Sequence, residues 1–130
     1  MPDIGPYSLH TVETGTFGLD GGAMFGIVPK PLWSDRIEPD AQNRIPLQMR
    51  CLLLVSEERR ILIDTGIGDT FAGTKYHDIY AVDHEEATLE ASLREHGLGR
   101  RDITDVILTH LHFDHCGGAT RQTEDGHVPA

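Results

Sequence analysis

An α/β architecture is expected of this chain of 130 residues on three grounds. Two apolar segments separated by a polar turn read as paired strands, one segment carries a helix period with start and stop signals, and a further apolar strand follows that helix. Residues 47–55 alternate Leu47, Met49, Cys51, Leu53 and Val55 with Gln48 and Arg50, before Leu52 and Leu54 make the segment apolar on both sides. This is the two-residue period of a strand. Ser56-Glu57-Glu58-Arg59 turns the chain, and Arg60 to Asp64 returns as the antiparallel partner. A helix is expected from about Glu85 to His96, with Asp83 as N-cap, Glu86 as its capping-box partner and Gly97 as the stop. Leu89, Ser92, Leu93 and His96 share the face that would pack on the sheet. Ile103–Thr109 is a short apolar run with β-branched residues, expected to be a strand buried on both faces. No repeat, low-complexity tract or linker interrupts the series, so residues 1–130 read as one unit.

Composition narrows the function classes. A hydrophobic fraction of 38% supports a modest core. With 21 acidic against 11 basic residues the net charge is −10, which argues against nucleic acid and against anionic membrane surfaces as partners. No segment approaches the ~20 apolar residues of a membrane helix, and Met1–Pro6 lacks the basic start and apolar stretch of a leader. Cys51 and Cys116 are too few for a disulfide framework. A cytoplasmic protein is inferred, with Cys116 read as a packing residue.

The chemistry concentrates in Thr-His-Leu-His-Phe-Asp-His-Cys-Gly-Gly at residues 109–118. Imidazole nitrogens and carboxylate oxygens are ligands for zinc and its neighbours once deprotonated. His110 and His112 lie two apart and project to one side of an extended segment, where they can grip one ion. Asp114 and His115 follow at once, and Gly117-Gly118 let the backbone turn closely beneath, so the spacing suggests two ligand pairs and two metals. The alternative is a run of surface histidines beside a turn. Ile103–Thr109 would place these ligands at the carboxyl end of a strand, where open α/β sheets keep their sites. Asp64, after a strand and before Gly66, reads on its own either as a turn residue or as a support for the site. Met24, Phe25 and Trp33, taken alone, read as core. His10, His77, His84, His96 and His127, like Tyr76 and Tyr80, are assigned nothing.

His110-Leu111-His112-Phe113-Asp114-His115 matches the His-x-His-x-Asp-His signature of the metallo-β-lactamase-fold hydrolase superfamily. Leu62-Ile63-Asp64-Thr65-Gly66 resembles that superfamily's strand-end Asp-Thr-Gly element, and Leu19–Gly26 resembles the N-terminal hairpin of its lactonase-like branch. The resemblance implies an αββα sandwich, of which this chain carries the N-terminal half. It implies that His110 and His112 serve one Zn2+ and Asp114 and His115 a second, that Asp64 supports them from behind, and that Asp114 also orients water or accepts a proton. Met24 and Phe25, with Trp33 in the same wall, would shape the pocket of a small-molecule substrate. The implied reaction is attack of metal-activated water on an ester or lactone carbonyl. Fifteen residues follow His115, and the superfamily's further ligands, a histidine, a bridging aspartate and a last histidine, have no matching positions. The alternative is therefore a catalytically silent metal-binding fragment or interaction module. An uncovered apolar sheet face is also expected, and a homo-oligomer would cover it.

Overall fold

The computed structural model describes residues 2–130. Strands β1 (Asp3–Ile4) and β2 (Tyr7–Asp20) lead into the short helices α1 (Gly21–Phe25) and α2 (Lys30–Trp33). Then come β3 (Arg44–Val55), β4 (Arg60–Ile63), α3 (Lys75–Ile79), α4 (Leu89–Glu95), β5 (Asp105–Ile107), α5 (Phe113–Cys116) and a terminal hairpin, β6 (Thr120–Thr123) with β7 (Gly126–Pro129). The first five strands form one sheet in the order β1-β2-β3-β4-β5, antiparallel except for the β4–β5 pair, which is parallel. The expected hairpin is present, with Leu52 opposite Ile63 and Val55 opposite Arg60.

Alternation sorts the sheet into two unlike faces. Val12, Cys51, Leu53 and Leu62 point to one side and meet Leu89 and Leu93 of α4. Val12, Leu53 and Leu93 are wholly buried; burying an aliphatic side chain of this kind contributes about 1.5–3 kcal/mol. The cross-strand pairs Leu52–Ile63 and Leu54–Ile61 face the other way and are only half-buried. Ile107, beside Ile63 in register, is 51% exposed. The apolar face expected to be uncovered is uncovered. A bulge in β2 between Glu13 and Thr16 then carries Phe17 into a second cluster with Met49, Ile67 and Val82, against which Phe71, Tyr80 and Phe113 pack.

Four expectations require correction. The helix expected from Glu85 begins at Leu89, with Thr88 as its N-cap accepting from Ala91 N, while Asp83 instead accepts from Glu85 N in the preceding turn. Both residues are good caps, and the first apolar contact with the sheet, at Leu89, decides between them. The strand expected over 103–109 and buried on both faces is the three-residue β5, with Val106 at 50% exposure, because it forms the edge of the sheet. Residues 19–26 form no hairpin: β2 runs to Asp20, whose side chain caps α1 by accepting from Ala23 N. Trp33, which the resemblance puts in a pocket wall, is buried beneath α1, as its reading as a core residue expects; a Cβ on Gly21 would lie 2.3 Å from its ring.

Candidate metal centre

β4 and β5 run parallel, so the loops leaving their carboxyl ends emerge on the same side. Asp64 N donates to Ile107 O at 2.8 Å, which extends the ladder by one step and brings the Asp-Thr-Gly loop against the histidine segment. Asp64 then turns into the left-handed region, with φ 63°. Its carboxylate is nearly buried and fully engaged: Oδ1 accepts from Thr109 N at 2.9 Å, and the Thr109 hydroxyl lies within 3.0 Å of both oxygens. Oδ2 meets His115 Nδ1 at 2.8 Å. Burial works to raise the Asp64 pKa, but the bonds from Thr109 and His115 outweigh it and hold the carboxyl below its ordinary value.

This carboxylate braces both of the expected ligand pairs. His115 is gripped directly at Nδ1, which leaves Nε2 free to face outward, 3.1 Å from Asp114 Oδ2. His110 is reached through Thr109, whose hydroxyl lies 3.1 Å from His110 Nδ1. His110 Nε2 in turn lies 2.9 Å from His112 Nδ1. The His110 and His115 rings are 4.0 Å apart between centroids, so the two pairs adjoin. His112 precedes α5 as its N-cap, and Phe113 anchors that single turn against Phe17, Phe71 and Tyr80.

The turn is seated by glycines that tolerate no side chain. A Cβ on Gly117 would lie 2.1 Å from Ile67 O, and one on Gly118 would lie 2.4 Å from Thr65 O. The close turn expected at Gly117-Gly118 is therefore a backbone-to-backbone seam between the two motif loops, closed by Gly118 N donating to Gly66 O at 3.0 Å.

His110, His112, Asp114 and His115 open onto a cleft of about 580 Å³ walled by Phe17, Leu19, Met24, Leu47 and Met49. Met24 thus lies in the wall, whereas Phe25 stacks on Trp33 with ring centroids 5.1 Å apart and lies outside the lining. A cavity of about 520 Å³ beside α4 holds Asp69, His84 and Glu90, but Glu90 is paired with Arg100 and Asp69 accepts from Gln122 N. Ligand chemistry, not size, selects the first. Cys116, half-buried, has its Sγ 3.4 Å from Leu111 O.

Two nitrogens 2.9 Å apart are close to the ~3.3 Å that separates two ligand atoms of a tetrahedral zinc with Zn–N near 2.0–2.1 Å. The donor set and its pairing therefore fit divalent metal. Among the described residues, no three His, Cys, Asp or Glu side chains converge on one point. Sequence reasoning missed Thr109 and Thr65. Both sit inside the quoted motifs, and only the contact between the two loops reveals what they do.

The model of the metallo-beta-lactamase superfamily matches residues 44–129. The chain belongs to the metallo-beta-lactamase superfamily. An N-acyl homoserine lactonase of Bacillus cereus is 36% identical over 84 residues, which are 58% of this chain and 34% of that protein. Among solved structures, a probable metal-dependent hydrolase from Staphylococcus aureus superposes with a TM-score of 0.81 at 39% identity, over 93% of this chain and 43% of its own. AidC, a dizinc quorum-quenching lactonase held in complex with a product, superposes with a TM-score of 0.65 at 28% identity, over 93% of this chain and 38% of its own. This superfamily member thus spans well under half the length of the relatives it matches. No helix among the described residues is long and apolar enough to cross a membrane.

Proposed function

We propose that residues 1–130 form the N-terminal, metal-binding part of a single hydrolase domain acting on a lactone or ester. His110 and His112 would hold one Zn2+ or similar divalent ion, and Asp114 and His115 a second. The observation that carries this is the pair of adjoining ligand pairs braced by one buried carboxylate at the mouth of an apolar cleft. Bound metal would supply a Lewis acid for the carbonyl and lower the pKa of water. The chain's own residues do the rest. Asp64 fixes the tautomer and direction of His115 and, through Thr109, of His110. Asp114, with a side chain 20% exposed, accepts a proton from the attacking water and returns it to the ring or alkoxy oxygen as the C–O bond breaks. Met24, Leu19, Leu47 and Met49 receive the apolar part of a small-molecule substrate. The lactonases among its relatives support a lactone as that substrate.

A second reading, metal binding without turnover, is favoured by the absence of any three converging ligands among the described residues, since catalytic zinc ordinarily receives three. Metal content per chain by elemental analysis, with hydrolysis of a chromogenic lactone, tests both. Wild type is expected to retain zinc after dialysis, and the His110→Ala/His112→Ala variant to lose it. Unchanged zinc in that variant would refute the metal assignment. Zinc without hydrolysis would select the second reading.

A further inference from the structure

We infer that Thr65 is a positioning residue that fixes His115 from beneath, acting together with Asp64, which fixes it from the side. α5 is a single turn of four residues, far too short to hold its own geometry in water. What holds it is the adjacent loop. Thr65 is 2% exposed and donates twice to the same acceptor: its N–H reaches His115 O at 2.8 Å and its hydroxyl reaches that oxygen at 2.9 Å. The neighbouring Asp64 binds the ring of the same residue at Nδ1. Backbone and ring of His115 are therefore held by consecutive residues of one loop, leaving Nε2 a single direction, towards Asp114. The Thr65 hydroxyl has one weaker alternative acceptor, Gly66 O at 3.2 Å.

The backbone N–H of position 65 survives substitution, so the side chain's share can be isolated. Thr65→Val keeps the shape and removes the hydroxyl; Thr65→Ser keeps the hydroxyl and removes the methyl. This inference rests on the proposed metal site for its consequence in binding, but its geometry has a readout without metal. A histidine N–H bonded to a buried carboxylate gives a downfield proton resonance, identified here as the one that Asp64→Asn abolishes. In zinc-free protein, Thr65→Val is expected to broaden or lose that resonance and Thr65→Ser to keep it. In the zinc-loaded protein, Thr65→Val is expected to weaken retention about tenfold, the lower end of what loss of a supporting group costs a metal site, with Thr65→Ser near wild type. Thr65→Ala replaces the valine variant if the latter does not fold.

A hydroxyl-free variant with an unaltered resonance overturns the inference, as does a serine variant that loses it. Wild-type protein that binds no zinc would refute the proposed metal site while leaving the resonance test of Thr65 intact.

Discussion

Replacing Asp64 by Asn separates the charge of the brace from its shape. Asparagine occupies the left-handed region as readily as aspartate, so φ 63° adds no new strain and the measured loss belongs to the side chain. The amide oxygen can keep the bond from Thr109 N. Its NH2 must then face the His115 Nδ1 and Thr109 hydroxyl partners in a site 8% exposed. One hydrogen bond to a charged group, worth about 1.5–3 kcal/mol, is lost, and a half-buried imidazole N–H is stranded unless His115 changes tautomer. A net cost of about 2–3 kcal/mol follows, or roughly 10 °C in melting temperature for a chain of this size. The sign with pH is fixed by the lowered Asp64 pKa. Its stabilising contribution is complete above the unfolded value near 3.9 and fades as pH falls through the lower folded value. Urea unfolding of wild type and Asp64→Asn from pH 7 to pH 3 should show a gap that is constant above about pH 5 and narrows as pH falls below the unfolded value near 3.9. No gap at pH 7, or a gap that widens in acid, would refute the brace.

Gly117→Ala places a Cβ 2.1 Å from Ile67 O. It should cost about 1–3 kcal/mol by forcing the seam apart, read by thermal melting, with reduced zinc retention under the same proposed site. Thr88→Ala removes the helix cap on Ala91 N and should cost about 1 kcal/mol, whereas Asp83→Ala, outside the helix, should cost less. Cys51 is buried and its thiol is pushed up to about 12, by burial first and by the Asp64 charge second. A thiol reagent at pH 8 should therefore modify one cysteine per folded chain, Cys116, and two after unfolding. Labelling of both cysteines in the folded protein would refute the buried placement of Cys51.

The sheet hairpin was legible, and so was the grouping of His110, His112, Asp114 and His115 that the structure brings together, because each is written locally. Alternation over 47–55 and the spacing of His110, His112, Asp114 and His115 need no knowledge of the rest of the chain. What escaped was set by tertiary context. Asp83 and Thr88 are equally good caps in sequence, and contact of Leu89 with the sheet chose the second. Val106 and Ile107 look like interior strand residues, and the sequence cannot say that β5 lies at the edge. Only the resemblance makes Phe25 a wall residue, and its stack on Trp33 leaves it outside the lining. Thr65 and Thr109 carry no signal of their own, because a hydroxyl reveals its role only through the acceptor it finds.

Parallel pairing is what makes one site of two motifs. Asp64 and Thr109 end strands that run side by side in the same direction, with Ile63 in register with Ile107. Had the two strands been joined by a tight turn, they would have run antiparallel and the motifs would lie at opposite ends of the sheet. The segment through α4 supplies the return, and Leu89 and Leu93 press it onto Val12, Leu53 and Leu62. The burial energy of that helix is thus spent on a distance: it holds the Asp64 carboxylate at hydrogen-bonding range of Thr109 and His115. The uncovered face of Leu52, Leu54, Ile61 and Ile63 plays no part in this brace. The side chains of His110, His112, Asp114 and His115 are organised from the α4 side, and their supports stand without that face.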